Sequence, residues 1–421
     1  MIHRDAPEPR RVPPPVRHPA LAALLPLYVV VFAGFVGYSL MITVFTPMLL
    51  RANTGMVAAG ASTSHRTIAL GVLLSLYPFG QFVGSPVLGA LSDRFGRRPV
   101  LLVSLAATTL CYAAINVVIE MQSLTGLGAA TLVAGLAEGN IVTAQGAIAD
   151  LVAPAERNRY FGYIYLAASL AYIVGPLAGG KLADPGLVAW FGDATPFWAS
   201  SALLLLTALA VLRLFHETKV PDAERSFRLG ETVSGLARIV TDFRLRRYYA
   251  VNFLIYLAMF GFFRSYPMYL VNEFHLNVSR VSEFVAFTGV GIVLANLWLT
   301  GFLSAHLPVK VMTVGSAVFA GIFMAMIPAP AHLAAMWPLL FLSSAGVAIA
   351  LPSCASLLSA ATDRAEQGRV MGNNQALQVA AEALSGLAAG LLAAIVVKLP
   401  LLALGAVSII AAILAAALIR E

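Results

Sequence analysis

Twelve long apolar runs constrain this chain more than any other feature of its sequence. They lie at residues 22–50, 68–92, 99–121, 125–150, 160–183, 195–215, 248–272, 282–304, 309–328, 334–361, 369–395 and 400–419. A helix needs about 20 apolar residues to cross a bilayer, and it satisfies its backbone polar groups internally. Only 11% of the 421 residues are charged, against about 25% in soluble domains. The sequence therefore predicts an all-α integral membrane protein with twelve transmembrane helices.

The twelve runs fall into two groups of six that carry related motifs. Residues 156–162 precede the fifth run and resemble residues 366–372, which precede the eleventh. Two equivalent halves around a binding site at the membrane midplane are typical of transporters that alternate between two states. We therefore predict two pseudo-symmetric six-helix bundles, over residues 21–215 and 248–421.

Two segments outside the bundles are predicted to be cytoplasmic. Residues 1–20 are rich in proline and arginine, which predicts a disordered tail. Residues 216–247 form the longest polar connection and predict a linker between the halves. Within it, apolar residues at helical spacing next to basic residues predict an amphipathic helix on the inner leaflet. That helix would carry Leu229, Val233, Leu236, Val240 and Phe243.

The placement of basic residues predicts the orientation of the chain. The formal net charge is +7, and most of the 27 Lys and Arg residues fall in the tail, the linker and alternate loops. Cytoplasmic loops carry such an excess, so we expect both termini in the cytoplasm and the chain in a bacterial inner membrane. These charges would meet membrane lipid headgroups and do not indicate nucleic-acid binding. Cys111 and Cys354 lie in separate runs, so we expect neither a disulfide nor a metal site, and no motif indicates a cofactor.

A short basic turn joins the second and third runs. Its sequence is G-A-L-S-D-R-F-G-R-R, beginning at Gly89. We expect Gly89 and Gly96 to supply the close packing and unusual backbone angles of a tight turn. The turn also contains Asp93, Arg94, Arg97 and Arg98.

This turn resembles the loop 2–3 signature of the major facilitator superfamily. The fifth run, with Gly175, Pro176, Gly179 and Gly180, resembles the signature of the antiporter branch, although Ala171 stands where that signature has glycine. The fourth run, which ends near Asp150, resembles the corresponding span of tetracycline-efflux proteins. The resemblance covers roughly residues 22–419. It implies a proton-driven exporter of the drug:proton antiporter branch, which includes tetracycline and multidrug efflux proteins.

The resemblance also implies gating roles. Arg97 is expected to pair with Asp150, in a charge cluster that latches one conformation. The glycines of the fifth run are expected to let helices approach closely, and Pro176 to bend the span. The residues assigned to gating are Gly89, Asp93, Arg94, Gly96, Arg97, Arg98, Asp150, Gly175, Pro176, Gly179 and Gly180.

Two departures from the family pattern concern proton handling. Antiporters of this kind usually carry an arginine in the fourth span, where this chain has Thr131. Many also carry an acid in the first span, but residues 32–47 contain none. The usual proton-handling pair is therefore missing from its expected positions.

Three ionisable residues within the runs are the alternative candidates. They are Glu138 in the fourth run, Glu382 in the eleventh and Arg264 in the seventh. Ionisable groups at such depth usually face a cavity or a partner. We hypothesise that Glu138 or Glu382 takes up a proton, while Arg264 supplies a charge partner or holds an acidic substrate group. Polar side chains at helical spacing are expected to line the same cavity: Gln145, Gln375, Gln378, Asn374 and Gln81.

These patterns predict a secondary transporter that exports an amphiphilic or partly anionic organic compound in exchange for protons. We expect a monomer whose partners are its substrate, protons and lipids. No nucleotide-binding loop or catalytic constellation is present, so neither an ATP-driven pump nor an enzyme is indicated. Two alternatives remain open: a facilitator or importer of a small metabolite or metal chelator, and a non-transporting sensor with a transporter fold.

Overall fold

The computed structural model describes residues 21–51, 55–58, 60–153, 156–219, 241–363 and 366–419. The predicted tail at 1–20 and most of the predicted amphipathic helix lie outside the described residues. Twelve described helices are long and apolar enough to cross a membrane. We number them α1 to α12: Leu24–Leu50, Thr63–Phe95, Arg97–Glu120, Leu124–Leu151, Arg159–Leu182, Thr195–Leu214, Arg246–Phe274, Val278–His306, Val309–Met326, Leu333–Ala360, Gln367–Ile395 and Leu399–Leu418. The predicted all-helical, twelve-span architecture is confirmed.

The buried apolar side chains form two main cores that follow the two halves of the chain. One core consists mainly of residues between 24 and 215, and the other of residues between 245 and 419. Each half therefore buries most of its own apolar surface. The candidate site lies where α1 of the first half meets α7 and α11 of the second.

The helix α4 is interrupted near its middle. It consists of two segments, Leu124–Ala137 and Asn140–Leu151, separated by Glu138 and Gly139. Glycines bring its backbone against α2: a Cβ on Gly135 would lie 2.1 Å from the Tyr77 carbonyl oxygen. The carbonyl of Ala137 at the interruption accepts a hydrogen bond from Ser104 Oγ at 2.6 Å. The break places the backbone of Glu138 at a bend, where a continuous span was predicted.

The turn between α2 and α3 is tighter than the sequence suggested. The helix α2 continues to Phe95, so the turn consists of Gly96 alone, at φ 99° and ψ 159°. Residues other than glycine essentially never adopt this conformation. The expectation for Gly89 is wrong, because this residue lies inside α2 and a Cβ on it would meet Val142 at an ordinary 3.7 Å. We call the end of the molecule that carries this turn the basic end.

Candidate substrate and proton site

The candidate site centres on a buried ion pair in the second half. Arg264 on α7 and Glu382 on α11 are only 1% and 8% exposed. Arg264 Nη2 lies 3.3 Å from Glu382 Oε1. Removing one member of such a pair leaves an uncompensated buried charge, which costs about 3–5 kcal/mol. The structure thus gives Arg264 a carboxylate partner, and that partner is Glu382.

Tyr38 on α1 connects this ion pair to the first half. Its hydroxyl donates to Glu382 Oε1 at 2.5 Å and accepts a hydrogen bond from Arg264 Nη2. Because Tyr38 belongs to one bundle and its two partners to the other, these bonds cross the boundary between the bundles. The sequence analysis missed Tyr38; a hydroxyl in the middle of an apolar run is the signal that could have identified it.

Glu138 lies inside the first half and is 1% exposed. Its Oε2 accepts a hydrogen bond from the Tyr77 hydroxyl on α2, and its Oε1 has no partner among the described residues. The carboxylate fits against α1 at Gly34, where an added Cβ would lie 2.3 Å from Oε1. The Tyr112 hydroxyl on α3 lies close enough to interact with both Glu138 and Tyr77.

A pair of tyrosine rings joins the two acidic sites. The rings of Tyr38 and Tyr77 stack with centroids 4.8 Å apart and planes 15° apart. Each hydroxyl donates to a different carboxylate, Tyr77 to Glu138 and Tyr38 to Glu382. The result is a continuous chain of contacts from the interior of the first half to the ion pair of the second. Neither Tyr77 nor its stacking with Tyr38 was predicted from the sequence.

An aromatic wall adjoins the ion pair. The ring of Tyr172 on α5 packs against Phe35 at 5.8 Å between centroids and against Phe263 at 6.5 Å. Tyr172 interacts electrostatically with both Glu382 and Arg264. All three rings are half-buried, so they present apolar and polarisable surface beside a charged group.

The predicted polar side chains divide into two sets. Gln81, Gln145 and Gln378 are half-buried and Gln375 is exposed, and the structure does not bring them into the chain of contacts between the two acids. The break in α4 lies between Thr131 and Gln145. Their part in substrate binding stays a prediction.

Asn374 belongs to a separate polar network within the second half. It donates to the Tyr256 hydroxyl at 2.8 Å, and its Oδ1 accepts from Asn252 Nδ2 at 3.0 Å. Asn252 Nδ2 also donates to the Cys354 carbonyl at 3.1 Å. Asn374 is 3% exposed. These bonds join α7, α10 and α11. Asn374 therefore belongs to a structural network that is separate from the ion pair.

At the basic end, the predicted pair of Arg97 and Asp150 is present. Arg97 Nε lies 2.9 Å from Asp150 Oδ2, and Arg97 Nη1 lies 3.0 Å from Asp93 Oδ1. Asp93 also forms an ion pair with Lys219. The sequence analysis missed Glu217, whose carboxylate accepts from the Arg97 backbone nitrogen at 2.8 Å. These contacts all lie within residues 93–219 and therefore brace the first half.

Two of the predicted gating arginines lie beside this cluster. Arg98 bonds to Glu217 Oε2 through its backbone nitrogen at 2.9 Å and to the Leu212 carbonyl through Nη2 at 2.6 Å. Arg94 lies over the Phe95 ring, with its Cζ 5.2 Å from the centroid.

The glycines of α5 make close helix contacts, as predicted. A Cβ on Gly175 would lie 2.1 Å from Ser39 Oγ of α1, and one on Gly179 would lie 2.9 Å from the Leu40 Cβ. Gly180 faces the other half, because a Cβ there would lie 2.1 Å from the Ser282 Cβ on α8. Pro176 lies inside α5 beside them.

The two halves make contact at the end opposite the basic end. Ser64 Oγ donates to the Ala394 carbonyl at 2.7 Å, and Lys181 Nζ lies 2.7 Å from Glu283 Oε1. Farther along the same two helices as the Ser64 contact, α2 and α11 pack backbone to backbone: a Cβ on Gly390 would lie 2.7 Å from the Gly71 Cα. We call this α2–α11 contact the glycine seam.

Three glycines at the basic end have no such close neighbours. An added Cβ on Gly162 of the first half, or on Gly368 or Gly372 of the second, would have no neighbour within 4 Å. The described conformation is therefore closed at the glycine seam.

Twelve spans in two bundles that meet around a buried ion pair define a multi-pass membrane transport protein. The sequence matches the family profile of the Major Facilitator Superfamily over residues 27–277 and 248–421. The chain belongs to this superfamily, a family of transporters and not of enzymes.

Individual relatives agree with this assignment. The chain is 28% identical over 365 residues to the tetracycline resistance protein, class C, of Escherichia coli, covering 84% of this chain and 85% of that one. It is 29% identical over 350 residues to the class E protein of Escherichia coli, covering 82% and 81%. The crystal structure of the human organic anion transporter MFSD10 (TETRAN) superimposes with a TM-score of 0.68 at 18% identity, covering 94% of this chain and all of that one. That likeness shows the fold.

Proposed function

We propose that this transporter exports an amphiphilic or partly anionic organic compound across a bacterial inner membrane in exchange for protons. The observation that carries the proposal is the buried contact among Arg264, Glu382 and Tyr38, which joins the two halves. A carboxylate at such a boundary can bind either a proton or a substrate group, and its occupant changes the contacts between the bundles. The resemblance of the chain to tetracycline resistance proteins supports export.

Exchange follows from competition at Glu382. A cationic or hydrogen-bond-donating group of the substrate would need the carboxylate in its charged form, whereas a proton removes that charge. Substrate and proton would therefore occupy the site in turn. The side chain of Glu382 is 10% exposed, more than that of Arg264, which supports Glu382 as the member that exchanges its partner.

The surroundings of Glu382 support an organic, amphiphilic substrate. Tyr172, Phe35 and Phe263 supply aromatic surface beside the ion pair. Arg264 Nε has no hydrogen-bond partner among the described residues, so the guanidinium retains a donor for an acidic substrate group. One substrate could thus engage the acid, the base and the aromatic wall together.

Alternating access would use the two ends of the bundles. We assign the basic end to the cytoplasm because of its arginines, which also places both termini there. The described conformation would then be closed toward the outside at the glycine seam. The cluster of Arg97, Asp93 and Asp150 would brace the first half as one rigid body during the change, which is the gating role that we propose for it.

A second candidate is uptake of an anionic compound together with protons. The full burial of Arg264 favours this candidate. An anionic substrate that displaced Glu382 from Arg264 would leave the Glu382 carboxylate without its cation, which favours protonation of that carboxylate. Substrate and proton would then travel in the same direction. The two candidates differ in whether the substrate competes with the proton for Glu382 or displaces Glu382 from Arg264.

Transport by the purified protein in lipid vesicles tests these proposals. With an imposed pH gradient, tetracycline and a fluorescent amphiphilic carboxylate serve as probes, and an entrapped pH dye reports proton movement. We expect the wild type to move a probe against the proton flow. Glu382→Gln should lose gradient-driven flux but retain counterflow of the probe. Glu120→Gln, an exposed acid at the end of α3, is the matched control and should behave as the wild type.

Two results would contradict the exchange mechanism. If gradient-driven flux kept its pH dependence in both Glu382→Gln and Glu138→Gln, neither acid would be the proton site. Movement of protons and probe in the same direction would instead establish the second candidate.

A further inference from the structure

We propose that Tyr38 and Tyr77 act as one positioning unit that makes Glu138 and Glu382 respond to protons together. The proposal rests on the proposed function in taking Glu382 as a proton site. It adds that Glu138, which lies in the other half and does not touch Glu382, sets the proton affinity of Glu382 through the two stacked tyrosines.

The geometry places a hydroxyl donor on each acid and holds the two donors together. The Tyr77 hydroxyl donates to Glu138 Oε2, and the Tyr38 hydroxyl donates to Glu382 Oε1. With their centroids 4.8 Å apart and planes nearly parallel, one ring cannot tilt without moving the other. Both hydroxyls are buried, so neither can exchange its carboxylate for bulk water.

Protonation of one acid then changes the other. A charged carboxylate holds the tyrosine O–H firmly, because hydrogen bonds to ionised groups are roughly twice as strong as neutral ones. When Glu138 takes up a proton, that restraint on Tyr77 weakens and the ring gains freedom to shift. Tyr38 then moves with it, which changes the bonds that its hydroxyl makes to Glu382 and Arg264.

The charged and titratable groups around each acid are few. Glu138 faces Tyr77 on α2, Tyr112 and Cys111 on α3, and no cation among the described residues. Glu382 faces Tyr38, Arg264 and Tyr172. Of these residues, only Tyr38 and Tyr77, which stack on each other, connect the groups around Glu138 with the groups around Glu382.

Tyr112 provides a matched control for the role of stacking. Like Tyr77, it is buried and lies near Glu138, so loss of either hydroxyl disturbs the acid. Unlike Tyr77, it does not stack on Tyr38; its ring instead faces Phe197 at 6.3 Å. If Glu138 influenced Glu382 only electrostatically, Tyr112→Phe and Tyr77→Phe would have similar effects on Glu382. The proposed unit instead responds mainly to Tyr77→Phe.

Infrared difference spectroscopy of the full-length protein in lipid, recorded against pH without any ligand, tests the proposal. Protonated carboxyl groups give a separate carbonyl band, and Glu138→Gln and Glu382→Gln assign the two acids. We expect Tyr77→Phe to shift the midpoint of the Glu382 band by about one pH unit, the scale of interacting sites. Tyr112→Phe should shift it by less than about a third of that, and Tyr77→Phe should have no effect once Glu138 is glutamine.

A reciprocal measurement keeps the test independent of one variant. Because the coupling between two proton sites is reciprocal, we expect Tyr38→Phe to shift the Glu138 band as well. Equal shifts with Tyr112→Phe and Tyr77→Phe would overturn the proposal in favour of simple electrostatics, and so would the absence of any shift. If the wild type gave no Glu382 band that titrates with pH, the proposed function would be refuted instead. The two failures are therefore distinguishable.

Discussion

The glycine seam between α2 and α11 should control which side of the transporter is closed. The simplest perturbation is Gly390→Ala. The added Cβ would lie 2.7 Å from the Gly71 Cα and 2.7 Å from the Thr67 carbonyl oxygen, whereas ordinary contacts begin at 3.4 Å. Both neighbours are backbone atoms, which cannot rotate aside. The two helices must therefore separate by about 1 Å to restore normal contact.

The size of the effect follows from that overlap. Forcing an extra methyl group into a well-packed contact costs about 1–3 kcal/mol. The cost applies only where the seam is closed, so it shifts the balance toward the conformation in which the seam is open. A shift of this size changes the ratio of the two populations about 5- to 150-fold. Transport should slow, because one half of the cycle becomes less accessible.

Distance measurements between spin labels across the seam can detect the shift. Labels at Thr63→Cys and Ile395→Cys would occupy exposed positions on α2 and α11 at the end opposite the basic end. Cys111 and Cys354 would first be replaced by serine. We expect Gly390→Ala to add a population at longer distance.

A control on the same helix separates packing from helix propensity. Gly372→Ala also lies on α11, but its Cβ would have no neighbour within 4 Å. Both substitutions gain up to about 1 kcal/mol of helix propensity. If Gly390→Ala and Gly372→Ala give the same distance distribution, the argument from the seam is refuted.

Three further predictions concern stability, each measured by thermal unfolding of the purified protein. Gly96→Ala should destabilise by about 1–3 kcal/mol, since φ is 99° there, whereas Gly89→Ala, inside α2 with an ordinary 3.7 Å contact, should stabilise by up to about 1 kcal/mol. Burial raises the pKa of Asp193, in the loop between α5 and α6, to about 6, although Arg51 opposes the rise. The folded state therefore binds more protons than the unfolded state between about pH 4 and 6, so stability should fall as pH rises through that window, and Asp193→Asn should abolish the fall. Asn374→Leu should cost about 1–3 kcal/mol for each partner left unsatisfied, whereas Gln375→Leu at an exposed position should not.

The sequence by itself determined the number of spans and their division into halves. Both follow from local properties: the length of each apolar run, and the repetition of motifs before the fifth and eleventh runs. The pair of Arg97 and Asp150 was also predictable, because opposite charges at the same end of neighbouring spans are expected to pair. The need for glycine at position 96 followed from the tight turn between two spans.

Only the tertiary structure decided the composition of the candidate site. Tyr38 and Glu382 are 344 residues apart in the chain, and Tyr77 and Glu138 lie on different helices. The pattern along one helix indicates that a polar group is buried, but not which helix faces it. Pairing Arg264 with Glu382 and stacking Tyr38 on Tyr77 depend on helix packing within each half, whereas the bonds from Tyr38 to Glu382 and Arg264 depend on how the two bundles meet. That meeting is set by backbone contacts at glycines such as Gly71 and Gly390, whose spatial neighbours no local pattern encodes.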